Sequence, residues 1–168
     1  AFTGDEFEKL AYAANNGRFE DAVLCDGCLE LRHRIRIELF AGEAAERRIS
    51  ISLRAAEPVE MVADPGEIEI VLNNLVSNAV KYNREGGSVI VSLERKDGVA
   101  KIEVADTGIG MTPEESAKLF NEFVRIKNED TYKILGSGLG LSTVRKLAQL
   151  YGGNATVKSE KGVGSTFT

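Results

Sequence analysis

LNNLVSNAVKYN, residues 72–83, decides how the rest of the chain is read. Leu72, Leu75, Val76, Ala79 and Val80 recur at helical spacing, so the stretch is an amphipathic helix with one face for a core. Asn73, Asn74 and Asn78 also sit inside it, although asparagine side chains compete for backbone hydrogen bonds and favour caps and turns. Asn74, Asn78 and Lys81 fall in one row along the helix, while Asn73 points away from it. A helix that lines up two carboxamides and an ammonium has something polar to hold.

Upstream, Asp64-Pro65-Gly66 opens that helix. Alternation predicts a half-buried strand over 49–54, ISISLR, and a second short strand, VEMV over 59–62, follows Pro58. Residues 27–46 are predicted to form a helix with Cys28, Leu31, Ile35 and Leu39 on one face. Residues 1–18 read as weakly ordered or as the tail of a preceding helix.

Downstream, 88–94 and 100–106 make a hairpin across Arg95-Lys96-Asp97-Gly98. Thr112-Pro113-Glu114-Glu115 signals a helix start with a capping box, predicted to run to Phe120. Residues 124–135 are polar and aperiodic and read as a mobile loop. A last helix is predicted from Gly140, with Leu141, Val144, Leu147, Ala148 and Tyr151 toward the core and Gly152-Gly153 as its stop. Residues 154–160 and 165–168 are strands, the chain ending inside the second. Strands outnumber crossovers, so the sheet must be mixed. The expected fold class is α/β: a two-layer sandwich with a mixed β-sheet covered by helices on one face.

The 168 residues suit one domain with a short appendage. A net charge of −5 argues against a nucleic-acid surface, which is normally basic. No apolar run reaches the roughly 20 residues a membrane span needs. AFTGDEFEKL at the start has no signal pattern, so a cytoplasmic chain, or the cytoplasmic part of a larger membrane-bound protein, is expected, with no direct membrane contact by this segment. Cys25 and Cys28 form a lone C-x-x-C; a zinc site would want a second pair, and His33 is the only histidine.

Two glycine-rich turns carry chemistry. Asp106-Thr107-Gly108-Ile109-Gly110 leaves a strand, and it is no dinucleotide fingerprint, because no third glycine follows before Pro113. Gly136-Ser137-Gly138-Leu139-Gly140 opens the last helix, where bare amides and the helix N-terminus favour an anion. It is no P-loop, for no Lys-Ser/Thr follows the final glycine.

NLVSNAVKY, DTGIGM, LFNEF and GSGLGLS, in that order, resemble the ATP-binding catalytic domain of sensor histidine kinases. That family belongs to the wider group containing the gyrase B subunit, the MutL repair protein and a heat-shock chaperone ATPase. The likeness covers residues 49–168 and implies a Bergerat-type fold that takes ATP and Mg²⁺. It implies a role for Asn78 as Mg²⁺ ligand, for Asn74 and Lys81 beside the phosphates, and for Arg125 reaching the γ-phosphate. Tyr82 would border the nucleotide, Asp106 would read adenine, and Gly108 and Gly110 would let the backbone approach the base. Gly136, Gly138, Leu139 and Gly140 would cradle phosphates, and Thr166 would reach adenine through water.

The same resemblance divides the chain. Residues 1–45 would be a helical or linker segment, the end of a preceding dimerisation hairpin, and 46–168 the catalytic domain, cut in its last strand. The family's phosphoacceptor histidine lies in that hairpin with an acidic neighbour. His33, in Leu-Arg-His-Arg-Ile, lacks this context and lies too near Asn74 for the hairpin to fit between. The implied activity is therefore transfer of the γ-phosphoryl group to a histidine on a separate dimerisation domain, serving a response regulator receiver domain. The alternatives are a conformational-clamp ATPase of the same fold and a nucleotide-binding module without chemistry. Position 74 separates the first: hydrolysing relatives carry a glutamate base there, and an asparagine takes no proton.

Overall fold

The computed structural model describes residues 28–31, 35–126, 131, 134 and 136–168. Five strands form the main sheet, in the order β2-β4-β5-β7-β6: β2 (Ser50–Ala55), β4 (Ser88–Lys96), β5 (Val99–Asp106), β6 (Val157–Glu160) and β7 (Gly164–Phe167). β2 runs parallel to β4 and every other pair is antiparallel. A parallel pair requires a crossover, and the chain between β2 and β4 supplies it with α2 (Pro65–Lys81). The mixed sheet with helices packed on it is the α/β architecture expected.

α2 forms where its sequence signals placed it. Asp64 caps it, its side chain accepting from the Gly66 amide (2.8 Å) and the Glu67 amide (3.1 Å), with Pro65 at the first position. Leu72, Val76, Ala79 and Val80 are essentially buried against Val89, Val91 and Leu93, which point to one face of β4. Each such Leu or Val contributes about 1.5–3 kcal/mol on full burial. The opposite side of α2, with Asn74, Asn78 and Lys81, stays half-exposed. α4 (Gly140–Leu150) packs beside α2 through buried Val144 and partly buried Leu141, Leu147 and Ala148.

α2 and α4 are further tied at their outer ends. The Tyr151 hydroxyl accepts from the Asp64 amide (2.9 Å) and donates to Glu67 Oε2. Thr112 caps α3 (Pro113–Ser116) with the full capping box expected, Glu115 reaching back to the Thr112 amide.

Two elements differ from expectation. Among the described residues, the predicted 27–46 helix is reduced to α1 (Ala41–Glu46), preceded by a 3₁₀ turn at Ile37–Phe40. Cys28–Glu30 is instead β1, antiparallel to β3 (Glu60–Val62), and the pairing continues as the Leu31 amide donates to the Val59 carbonyl (2.9 Å). Leu31 and Ile35 are buried as the helix reading wanted, but Leu39 is 59% exposed. α3 ends at Ser116, and the chain reaches Phe120 through turns. The segment 1–18, Cys25, His33 and most of the 124–135 loop lie outside the described residues.

Candidate functional site

The polar row of α2, the turn after β5 and the glycine-rich entry to α4 converge on one cavity of about 250 Å³. α2 contributes Asn74, Asn78 and Lys81 to its wall, and Tyr82 follows at the helix's C-terminal cap. Asp106, Ile109, Gly110 and Met111 come from the turn, Gly136, Gly138 and Gly140 from the entry to α4, and Arg125 from the chain before it. Residues far apart in sequence thus share a wall because α2 and α4 pack side by side above the sheet.

Asp106 is the half-buried charge at one end. Its Oδ1 accepts from the Gly108 amide (2.8 Å) and the Ser165 amide (3.3 Å), while Oδ2 has no partner among the described residues. Burial pushes its carboxyl up to about 6 from the ordinary 3.8, partly offset by those two amides. A carboxyl whose folded value lies above its unfolded one contributes stability that is complete below the unfolded value and is lost as pH rises through the folded value. Against Asp106→Asn, the ligand-free parent should therefore gain stability in denaturant melts as pH falls from neutral through about 6. Parallel pH profiles for the two proteins would refute this.

The backbone crowds the same end. Gly110 has φ +60°, and a Cβ there would lie 1.9 Å from the Glu160 carbonyl oxygen. A Cβ on Gly108 would lie 2.2 Å from the Tyr82 carbonyl, so Gly108 packs under the cavity and does not line it.

At the other end Asn74 Nδ2 donates to the Ile70 carbonyl (2.8 Å), and a Cβ on Gly140 would fall 2.3 Å from Asn74 Oδ1. The bare Gly140 lets the start of α4 approach that carboxamide. The Asn78 carboxamide and the Lys81 ammonium have no partner among the described residues. Arg125 donates through Nη2 to the Ile134 carbonyl.

Leu139 and Thr166 do not line the cavity. Leu139 caps α4 with its carbonyl and is exposed. Alternation along β7 brings Ser165 and Phe167 to the wall and turns Thr166 to the other face, so Ser165 holds the place assigned to Thr166.

Sequence reasoning also missed Arg47. Its guanidinium donates to the carbonyls of Val80 (2.6 Å) and Lys81 (3.1 Å) and to that of Asn83, a cation on the carbonyl end of α2. No local signal marks it, because its partners lie more than 30 residues away.

The family described as "Histidine kinase-, DNA gyrase B-, and HSP90-like ATPase" matches residues 63–168. The chain belongs to this family. Over 154 residues it is 35% identical to the histidine protein kinase DivJ of Caulobacter vibrioides, covering 90% of this chain and 25% of that protein. It is 36% identical over 134 residues to the aerobic respiration control sensor protein ArcB of Escherichia coli, covering 77% of this chain and 17% of that one. Among solved structures, a catalytic domain of histidine kinase ThkA superposes with a TM-score of 0.71 at 27% identity, covering 83% of this chain and 90% of the other. Full-length ShkA in complex with AMPPNP gives 0.69 at 31% identity, covering 95% of this chain and 35% of that one. The chain thus spans a quarter or less of the DivJ and ArcB sequences.

Proposed function

We propose that this chain is the catalytic part of a two-component sensor kinase, binding Mg-ATP and passing its γ-phosphoryl group to a histidine on a separate dimerisation domain. One observation carries the reading: a single cavity places a half-buried carboxylate at one end and an Asn74-Asn78-Lys81 row with bare glycine amides at the other. Such a cavity suits a ligand with a hydrogen-bonding base and a string of anionic groups. The kinase names of the relatives and the AMPPNP bound to the ShkA structure support it.

In this reading the unpartnered Oδ2 of Asp106 accepts from the exocyclic amine of adenine, a charge-assisted bond. Ile109, Met111 and Phe167 give the base an apolar wall. Gly136, Gly138 and Gly140 leave room for amides to approach the phosphates at the N-terminus of α4. Lys81 balances their charge, and Arg125 is the candidate for the γ-phosphate.

The site also fits a magnesium ion. A carboxamide oxygen is a suitable hard ligand, and Asn78 offers one that is free among the described residues. Among the described residues no group of three or more His, Cys, Asp or Glu could hold a metal, so the cation would be shared with the phosphates. When bound, Mg²⁺ neutralises charge developing on the transferring phosphoryl group.

Asn74 favours transfer over hydrolysis. It cannot activate water, whereas a neutral imidazole attacks through a lone pair and needs little help from a base. The kinase would act on a histidine-containing dimerisation domain and serve a response regulator receiver domain in the cytoplasm. No helix among the described residues is long and apolar enough to cross a membrane.

The test is labelled ATP mixed with this chain and the cognate dimerisation domain. The label should appear on that domain's histidine, with ATP bound better than GTP and little hydrolysis by the chain alone. Brisk turnover without the acceptor would instead establish a clamp ATPase, and ATP binding without either reaction a non-catalytic module.

A further inference from the structure

The two ends of the cavity are carried by different elements, and those elements meet at a buried polar joint. Asn83 follows the last turn of α2 and is 3% exposed. Its carboxamide Nδ2 donates to the Ala79 carbonyl (3.0 Å) on α2 and to the Ser88 carbonyl (3.1 Å) at the start of β4. Its carboxamide oxygen accepts from the Arg84 amide (3.0 Å) and from the Thr107 hydroxyl (3.4 Å). Both donor hydrogens and both acceptor lone pairs are thereby used.

Thr107 closes the circuit. Its hydroxyl accepts from the Ser88 amide (2.8 Å), and its own amide donates to the Ser88 carbonyl (3.1 Å). The joint has no spare volume: a Cβ on Gly87 would lie 2.1 Å from Asn83 Oδ1 and 2.9 Å from the Thr107 hydroxyl. Beside it the Ile109 amide donates to the Tyr82 carbonyl (3.1 Å). The helix bearing Asn78 and Lys81 is thus bonded, through Asn83 and Thr107, to the turn bearing Asp106.

We infer that Asn83 and Thr107 are positioning residues that set the distance between the phosphate end and the base end of the cavity. This rests on the nucleotide reading above. Neither side chain lines the cavity, so both act through Asn78 and Lys81 on one side and Asp106 on the other. A ligand held at one end meets the second grip as an intramolecular event, and its gain depends on the two grips matching its length. A buried, fully bonded joint keeps that match; loosening it leaves each grip intact and spoils their spacing.

The distinguishing experiment titrates the parent chain, Asn83→Ala, Thr107→Val and Thr107→Ser with Mg-ATP, adenosine and inorganic tripolyphosphate. Asn83→Ala and Thr107→Val should lose about tenfold to 100-fold in ATP affinity, while each fragment changes by less than about twofold, as misplacement of intact groups requires. Thr107→Ser keeps the hydroxyl and should bind ATP as the parent does. If Asn83→Ala does not fold, Thr107→Val, which removes one hydroxyl, carries the comparison.

Unchanged ATP affinity in the variants would overturn the inference alone. So would fragment affinities that fall in step with ATP, the pattern of a generally loosened fold. A parent chain that binds none of the three probes would overturn the nucleotide reading and this inference with it.

Discussion

Asn78→Ala is expected to lower phosphoryl transfer to the acceptor domain by at least about 10²–10³-fold, the scale on which removing one preorganised electrostatic contact acts. Asn78 is the cavity's candidate metal ligand, and its carboxamide has no structural bond to lose among the described residues. The substitution removes no buried apolar surface and leaves the packed face of α2 untouched. The fold should therefore survive, with an unchanged thermal melt and unchanged binding of adenosine, which needs no metal. Mg²⁺-dependent ATP binding should weaken along with transfer. If the variant transfers phosphoryl groups as fast as the parent, Asn78 is not the metal's ligand and the phosphate end has been assigned the wrong way round.

The second large effect belongs to Asp106. Asp106→Asn or Asp106→Ala should weaken ATP binding by about 1.5–3 kcal/mol, on the order of tenfold to 150-fold, the range for hydrogen bonds to a charged group. The two substitutions act differently. Asparagine can keep an acceptor for the Gly108 and Ser165 amides, so the turn holds, but it presents an NH₂ where Oδ2 stood. Two donors then face each other across the pocket, adenine's and the protein's. Alanine removes the acceptor as well, leaving those two amides unpaired, and should also lower stability. The asparagine variant is therefore the cleaner probe. Parent-like ATP affinity in it, or GTP bound by the parent as tightly as ATP, would end the adenine assignment.

What could be read without coordinates was local. The α2 start at Asp64-Pro65-Gly66 and the α3 capping box at Thr112 rest on residues within three positions of one another, and both form as expected. The polar row Asn74-Asn78-Lys81 follows from helical spacing alone. The failures share a cause in long-range pairing. Leu31 and Ile35 bury at a helical interval, yet Cys28–Glu30 pairs with Glu60–Val62 and becomes a strand, a competition that periodicity cannot judge. Ser165 and Thr166 are adjacent and chemically alike, and only the register against β5 decides which one meets Asp106. Arg47 and the link from Asn83 to Thr107 are invisible for the same reason: the partners lie more than 20 residues away.

The parallel pairing of β2 with β4 decides which strand edge the sheet presents. The family match begins at residue 63, beyond β2, yet β2 is hydrogen-bonded along one side of β4, from Ser50 opposite Ser88 to Ala55 opposite Leu93. A chain begun at residue 63 would bare that side as a long edge whose alternate residues, Val89, Val91 and Leu93, are apolar. Such an edge is a template for strands of other copies, and aggregation is its ordinary result. Removing the segment before residue 63 would also take away Arg47 and leave the carbonyls it holds at the end of α2 to solvent. With β2 present, the outer strand is instead the shorter one, six residues against nine, and its alternate residues Ser50, Ser52 and Arg54 are exposed and polar, the kind of edge that discourages such pairing.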